Sequence, residues 1–192
     1  MQLSAPDLSN AIVRLEVLDE THLGDIRGSG AIEAMWDWMP DIPKGLSFSN
    51  YAEHVAECIA RGDLVAFSIY RAGDGAFAGV AAYDQISRVH RRLRIDYFWH
   101  PEDLRGSPVF PATQLLLIER ALAWGARRIE WMLSTENRPA IRAIARLGAR
   151  EEGTLRSYLR LADGRWSDMT VLSMLHDEAE LAVRELTRRI SP

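Results

Sequence analysis

The segment Ser134–Gly148, STENRPAIRAIARLG, is the part of the sequence that decides the fold. It follows RIEWMLS, a pattern typical of a strand. Asn137 stands at the expected start of a helix, where an Asn side chain accepts a hydrogen bond from a free backbone N–H group. The side of this helix predicted to be buried carries Ile141, Ile144, Ala145 and Leu147. Gly148 predicts the end of the helix, because glycine readily adopts the positive φ that is common there.

The composition predicts one globular domain over residues 1–192. The chain is 47% apolar and 26% charged, which is ordinary for a protein with a hydrophobic core and argues against disorder. The net charge of −4 gives no general attraction to nucleic acid or to an anionic membrane, so neither is expected as a partner. Cys58 is the single cysteine, which excludes a disulfide within the chain.

The sequence also predicts a cytoplasmic location. Its first residues, MQLSAPDLSNA, lack the basic and apolar regions of a signal peptide. We find no uncharged run near the roughly 18 residues that span a bilayer, so no membrane segment is expected.

Apolar periodicity and turn residues divide the rest of the chain into strands and helices. Strands are predicted at Val13–Leu18, Leu64–Arg71, Ala76–Ile86, Arg92–His100, Arg128–Ser134, Ala149–Leu161 and Trp166–Leu175. Helices are predicted over Asp19–Gly28, from an N-cap at Ser49 to Gly62, over Pro111–Gly125, after Asn137, and over Asp177–Ile190 with an N-cap at Asp177. This order indicates an α+β (mixed α/β) domain.

Four segments together resemble one known family. They are Trp36–Pro40 (WDWMP), His90–Ile95 (HRRLRI), Asn137–Gly148, and the Glu152-Gly153-x-x-Arg156 pattern with Asp163-Gly164 and Asp168. In this order they are similar to the GNAT superfamily of N-acetyltransferases, and within it to the RimJ/RimL-like branch that acetylates ribosomal-protein N-termini and related amines.

The resemblance implies a single GNAT-like domain with a central, mostly antiparallel, splayed sheet flanked by helices. The fourth and fifth strands of that fold separate and admit the pantetheine arm of acetyl-CoA, the acetyl donor. The transfer needs no metal. The residues implied to contact the cofactor are Phe98, Trp99, His100, Arg105, Gly106, Ser107, Val109 and Asn137. The implied partner is an amine acceptor, either a protein N-terminus or a small molecule, and the resemblance also allows a homodimer through the terminal hairpin.

The expected pyrophosphate loop departs from the family pattern. It reads LRGSPVFP over Leu104–Pro111, with Pro108 and Phe110 where small residues are usual. Pro108 and Pro111 carry no N–H group. Each lost charge-assisted hydrogen bond weakens anion binding by about 1.5–3 kcal/mol, which the side chain of Arg105 offsets in part.

The transfer also requires proton movement, because an amine must lose a proton and the thiolate must gain one. Arg94 stands where the branch often has Glu, so Asp96, on the same face of the strand, is the candidate base or amine anchor. Its alternative role is a structural partner of Arg92 or Arg94. Ile144 stands where a Tyr acid is common, which leaves Ser134 and Tyr158 as candidate acids.

Three further residues are candidates for contact with the acceptor. Trp36 and Trp38 either form a wall of the acceptor pocket or are packing residues, and Asp84 ends the strand before Arg94. The sequence thus leads to two hypotheses. The first is an N-acetyltransferase moving acetyl from acetyl-CoA to a primary amine by direct transfer. The second is a GNAT-fold protein with a degenerate pyrophosphate loop that is a non-catalytic ligand-binding or interaction module.

Overall fold

The structure is a computed structural model that describes residues 6–29, 47–161 and 163–190. The predicted acceptor residues Trp36 and Trp38 lie outside the described residues, as does the aromatic segment around them. Within the described residues no helix is long and apolar enough to cross a membrane.

Eight strands of the described chain form one sheet. They are β1 (Leu8–Ser9), β2 (Val13–Val17), β3 (Val65–Arg71), β4 (Phe77–Ser87), β5 (Arg92–Trp99), β6 (Arg128–Ser134), β7 (Arg150–Arg160) and β8 (Trp166–Leu175). Their order across the sheet is β1-β2-β3-β4-β5-β6-β8-β7. Neighbouring strands are antiparallel except β5 and β6, which are parallel.

Five α-helices are described. They are α1 (Leu23–Gly28), α2 (Phe48–Arg61), α3 (Val109–Ala123), α4 (Arg138–Arg146) and α5 (His176–Ile190). The capping prediction at Asn137 is confirmed, since its side chain accepts from the Ala140 N–H at 3.3 Å. Gly148, with φ +108°, follows this helix as expected. The α+β fold class is therefore confirmed.

Three predicted helix starts were wrong by one or two residues. The N-cap of α2 is Ser47 rather than Ser49, because Ser47 has the extended backbone that lets its hydroxyl accept the Asn50 N–H at 3.1 Å. Helix α3 starts at Val109 rather than Pro111, and proline is tolerated in a first turn because its missing N–H has no partner there. Helix α5 starts at His176, so Asp177 lies inside its first turn.

Apolar residues cover both faces of the sheet. On β3, Phe67 and Ile69 face the main core, which includes Leu117 of α3 and Trp131 of β6. Ala66, of opposite parity on the same strand, belongs to a second cluster formed largely with α1 and α2. Both layers hold the central strands in fixed positions.

The two central parallel strands separate along their length. Strand β5 pairs with β6 only over Arg92–Arg94, opposite Arg128–Glu130. Beyond that point β5 continues against β4, whereas β6 pairs with β8 as far as Ser134. The sheet therefore opens between β5 and β6 at the ends of both strands, which confirms the expected splay.

Candidate functional site

A cleft of about 1030 Å³ occupies the opening between β5 and β6. Its walls come from β5, β6, the loop between β5 and α3, helix α4, the β7–β8 hairpin and the last turn of α5. Parallel strands that separate leave unpaired backbone groups facing the gap, which is the kind of edge that an extended ligand can join. Concave, largely apolar clefts of this kind are where small-molecule ligands usually bind.

A β-bulge shapes the wall that β5 contributes. Tyr97 has φ +52°, and the register between β4 and β5 shifts between Val80 and Ala82. At this bulge the backbone of β5 comes very close to Gly79 on β4. A Cβ atom at position 79 would lie 2.0 Å from the Trp99 carbonyl oxygen, so only glycine fits there. Left-handed backbone at a non-glycine residue is strained, and such strain concentrates at functional sites.

A buried charge cluster lies at the base of this wall. The Arg94 guanidinium donates two hydrogen bonds to the Asp84 carboxylate, one of them from Nε to Oδ1 at 2.8 Å. Arg94 Nε also lies 3.3 Å from Asp96 Oδ2. Two carboxylates and one guanidinium carry one net negative charge when both acids are ionised. Asp84, predicted to contact the acceptor, is held by Arg94 and does not line the cleft.

Asp96 is the carboxylate of the cluster that lines the cleft, next to Arg94, which also lines it. Its side chain is 29% exposed, and Oδ1 accepts the Tyr97 N–H at 2.8 Å. Desolvation raises the pKa of Asp96 to about 6, helped by the nearby Asp84 charge and opposed by Arg94. Both sequence hypotheses for Asp96 therefore fit: it neighbours Arg94, and it lies on the cleft wall. Arg92 instead pairs with Glu130, at 3.7 Å.

The loop before α3 provides few free donors. The Arg105 N–H donates to Glu102 O at 3.1 Å, and the Ser107 N–H donates to Leu104 O at 3.1 Å. The Val109 N–H donates to the Ser107 hydroxyl at 3.3 Å, and the Val109 side chain is in the core. In the described part of the chain, the N–H groups of Gly106 and Phe110 have no such acceptor.

Three aromatic rings line the cleft beside this loop. Phe110 lies 5.9 Å from Phe98 and 6.1 Å from His100, measured between ring centroids. His100 is only 8% exposed, and its Nδ1 lies 2.6 Å from the Ala78 carbonyl oxygen. Burial lowers the pKa of His100, so the ring is neutral at neutral pH. Phe110 thus replaces a small residue of the family pattern with an apolar wall.

The opposite wall carries the remaining predicted residues. Ser134 is buried, and its hydroxyl is hydrogen-bonded to that of Ser167 at 2.9 Å. Tyr158 is 51% exposed at the mouth of the cleft. A second bulge next to it places Ser157 at φ +46°, with its N–H bonded to Asp168 Oδ1 at 2.7 Å. Asn137 lines the cleft while it caps α4.

The structure therefore brings most of the predicted site residues to one cleft. Those that line it are Asp96, Ser134, Tyr158, Phe98, Trp99, His100, Arg105, Gly106, Ser107 and Asn137. Val109 and Asp84 lie behind the wall. Sequence reasoning did not identify Arg146 and Arg189, which line the cleft together with Arg94 and Arg105. A basic residue in the last turn of α4 and of α5 was the available signal.

Comparison with solved structures identifies the fold. A GCN5-related N-acetyltransferase from Brucella melitensis superposes with a TM-score of 0.85 at 22% identity, covering 97% of this chain and 86% of that chain. The chain has the fold of the GNAT acetyltransferases. Mycobacterium smegmatis RimJ, solved with CoA-disulfide, gives a TM-score of 0.76 at 20% identity over 95% of this chain and 92% of its own.

A third solved structure has the same shape. Spermidine N-acetyltransferase from Vibrio cholerae, in complex with CoA and spermine, gives a TM-score of 0.75 at 17% identity over 89% of this chain and 99% of that chain. No protein-family model and no curated protein matches the sequence. The likeness of this chain to GNAT proteins is thus one of fold.

Proposed function

We propose that the protein is an N-acetyltransferase that moves an acetyl group from acetyl-CoA to a primary amine. The observation that carries the proposal is the cleft between β5 and β6, which has a desolvated carboxylate on one wall and free backbone donors at one end. Two of the solved structures with this fold hold CoA or a CoA derivative, which supports the choice of donor.

The donor is expected along β5 and the loop before α3. The free N–H groups of Gly106 and Phe110, near the start of α3, fit a pyrophosphate. Arg105, Arg146 and Arg189 add positive charge along the cleft. When bound, acetyl-CoA supplies the acetyl thioester. The chain itself supplies few backbone donors, so the arginine side chains are expected to contribute much of the phosphate affinity.

The acceptor is expected at Asp96. When both carboxylates are ionised, the cluster of Asp84, Arg94 and Asp96 carries one net negative charge, and this charge attracts an ammonium group. The wall beside it is apolar, with Met132, Leu159 and Met169 in the lining. Arg94 already binds two carboxylates, so it is not available for a carboxylate of the substrate. We therefore expect an amine without a free α-carboxylate, such as a peptide N-terminus or an aliphatic amine.

The proton steps follow from the same geometry. Asp96 is ionised at neutral pH and faces the cleft, so it holds the ammonium and takes its proton before the nitrogen attacks. Tyr158 carries the exposed hydroxyl at the mouth of the cleft and is the candidate donor to the leaving thiolate. Ser134 is a poorer candidate, because its hydroxyl is already bonded to Ser167.

A specific observation favours the alternative of a non-catalytic ligand-binding or interaction module. Pro108 and Pro111 remove two donors from the N-cap and the first turn of α3, and the Val109 N–H donates to the Ser107 hydroxyl. If these losses abolish CoA binding, the cleft would serve another ligand.

Calorimetric titration with acetyl-CoA, and separately with CoA, distinguishes the two functions. We expect dissociation constants in the micromolar range for both ligands. Absence of heat at millimolar ligand, with the protein shown to be folded by circular dichroism, would contradict the acetyltransferase proposal and leave the module.

A further inference from the structure

An extra residue interrupts the pairing of β4 with β5 at the base of the cleft. Asp84 pairs with Arg94, and the next pair is Ser87 with Arg92, so two residues of β4 stand opposite one residue of β5. This arrangement is a β-bulge. Gln85, the first of the two residues, has φ +46°, a left-handed backbone that residues other than glycine seldom adopt.

The bulge changes the side of the sheet that the Gln85 side chain faces. In an uninterrupted strand, a residue at position 85 would face the main core, as Tyr83 does, because side chains alternate between the two faces. Here Ile86 packs against that core instead. Gln85 lines the cleft together with Arg94 and Asp96. The strained backbone therefore turns an amide side chain toward a bound ligand.

The side-chain amide of Gln85 is available to such a ligand. Gln85 is exposed, and its amide has no hydrogen-bond partner among the described residues. Its neighbours Arg94 and Asp96 are paired with each other, at 3.3 Å between Nε and Oδ2. A primary amide carries both N–H donors and a carbonyl acceptor. A peptide group has one donor and one acceptor, so the two groups are complementary.

We propose that Gln85 is a specificity-determining residue that favours acceptors with an amide group next to the amine, as at a peptide N-terminus. This inference rests on the proposed function and narrows its acceptor. Gln85 and Asp96 belong to neighbouring strands of one cleft wall. With the ammonium at Asp96, the Gln85 amide donates to the carbonyl oxygen of the acceptor and accepts from its amide N–H. An aliphatic amine has neither group.

Two acceptors that differ in the amide alone test the inference. Alanine amide carries it, and sec-butylamine has an ethyl group in its place. We expect Gln85→Gly to lower kcat/KM for alanine amide about tenfold, the effect of losing roughly two neutral hydrogen bonds, and to leave kcat/KM for sec-butylamine unchanged. The two amines differ in basicity, and comparing each amine between the two proteins removes that difference.

The choice of variants separates a lost contact from a damaged fold. Glycine adopts left-handed backbone without strain, so the melting temperature of Gln85→Gly should equal or exceed that of the wild type. Gln85→Met keeps a side chain of similar length but has no amide, and it should show the same selective loss. Arg91→Gly is the matched control, because Arg91 also has a left-handed backbone, φ +51°, and lies in the turn of the same hairpin. It should keep the wild-type ratio of the two kcat/KM values.

The outcomes separate the Gln85 inference from the proposed function. If the wild type acetylates both amines and Gln85→Gly lowers both rates equally, or lowers neither, the inference is overturned and the proposed function stands. A wild-type ratio in Gln85→Met also overturns it. If the wild type acetylates no amine, both proposals fail. Should Gln85→Gly not fold, Gln85→Met decides.

Discussion

Two opposed effects act on the pKa of the Asp96 side chain. Desolvation on the cleft wall favours the neutral acid, whereas Arg94 favours the carboxylate. The first effect is larger, so the pKa of Asp96 is raised to about 6. A carboxylate with a pKa near the working pH is well suited to take a proton from a bound ammonium.

Asp96→Asn is expected to lower the rate of acetyl transfer by about 10²-fold, the lower end of what a general base contributes. In the wild type the rate should fall as pH drops through about 6, because Asp96 then binds a proton, and this acid limb should be absent from the variant. Rates measured from pH 5 to 8 check this. Asp177→Asn, at an exposed position in the first turn of α5, is the control and should keep the limb.

The raised pKa of Asp96 also makes the stability of the fold depend on pH. A carboxyl group whose pKa is higher in the folded than in the unfolded state destabilises the fold as pH rises from its unfolded value of about 4 to about 6. Asp96→Asn removes this effect. The melting temperature of the variant minus that of the wild type should therefore be larger at pH 7 than at pH 4. An equal difference at both pH values would mean that the Asp96 pKa is not raised.

Arg94 is predicted to be essential for stability as well as for the charge of the site. Arg94→Met leaves the buried Asp84 carboxylate without its partner, which is expected to cost about 3–5 kcal/mol of unfolding free energy. Urea denaturation measures this. Replacing both residues, as Arg94→Met with Asp84→Leu, should recover much of the loss. Arg92→Met, on the same strand but half-exposed, should cost about 1 kcal/mol or less.

The sequence predicted contacts between residues that are neighbours along the chain, but not contacts between residues that are far apart along it. Arg94 and Asp96 are two apart on a strand, so a shared face followed from alternation alone. The pairing of Arg94 with Asp84 depends on the register of β4 against β5, and two shifts in that register lie within the hairpin. Register with bulges is set by tertiary packing, and the sequence pattern does not encode it.

The loop and first turn before α3 are the element in which this chain differs most from the family pattern. The structure places Pro108 at the N-cap of α3 and Pro111 in its first turn. The loop is closed by the Ser107 hydroxyl, which donates to Leu104 O at 2.6 Å and accepts the Val109 N–H. Because these hydrogen bonds within the loop occupy most of its N–H groups, few remain for an anion.

Restoring one N–H group should strengthen donor binding. Pro111→Ala adds a donor in the first turn of α3, and a charge-assisted hydrogen bond of about 1.5–3 kcal/mol predicts roughly tenfold or tighter binding of CoA. Calorimetry with CoA measures it. Pantetheine lacks the pyrophosphate and should bind the variant and the wild type equally. Equal CoA affinity of the two proteins would place the pyrophosphate elsewhere.

The sequence predicted every described helix and strand longer than two residues, except the short helical turn Glu102–Leu104. It was less successful at helix starts. Ser47 and Ser49 are equally good N-caps by residue type, and the choice between them depends on where the chain is extended before α2. The expected acceptor side, with Trp36 and Trp38, lies outside the described residues and stays a prediction.

The whole molecule is organised around the gap that opens where β5 and β6 stop pairing. Strand β6 pairs with β5 over only three residues but with β8 along its whole length, and the two apolar layers hold the sheet together. The sequence predicted this opening only through family resemblance. Alternation patterns identify strands but do not say where two parallel strands separate.

A ligand that binds in this opening should stabilise the whole domain. CoA at 100 times its dissociation constant adds about 2.7 kcal/mol to the free energy of unfolding. For a domain of this size, that corresponds to a rise of about 5–10 °C in melting temperature. Differential scanning fluorimetry with increasing CoA checks the prediction. ADP, which carries the pyrophosphate without the arm, should raise the melting temperature less than CoA does.

Release of free thiol from acetyl-CoA in the presence of defined amines measures the proposed acetyl transfer itself. We expect thiol release with alanine amide or an aliphatic monoamine, and much less with alanine, because Arg94 already pairs with two carboxylates and leaves no cation near Asp96 for the alanine carboxylate. We expect Asp96→Asn to lower the rate about 10²-fold. Thiol release no faster than spontaneous hydrolysis with every amine, from protein that binds acetyl-CoA, would contradict the proposed acetyl transfer.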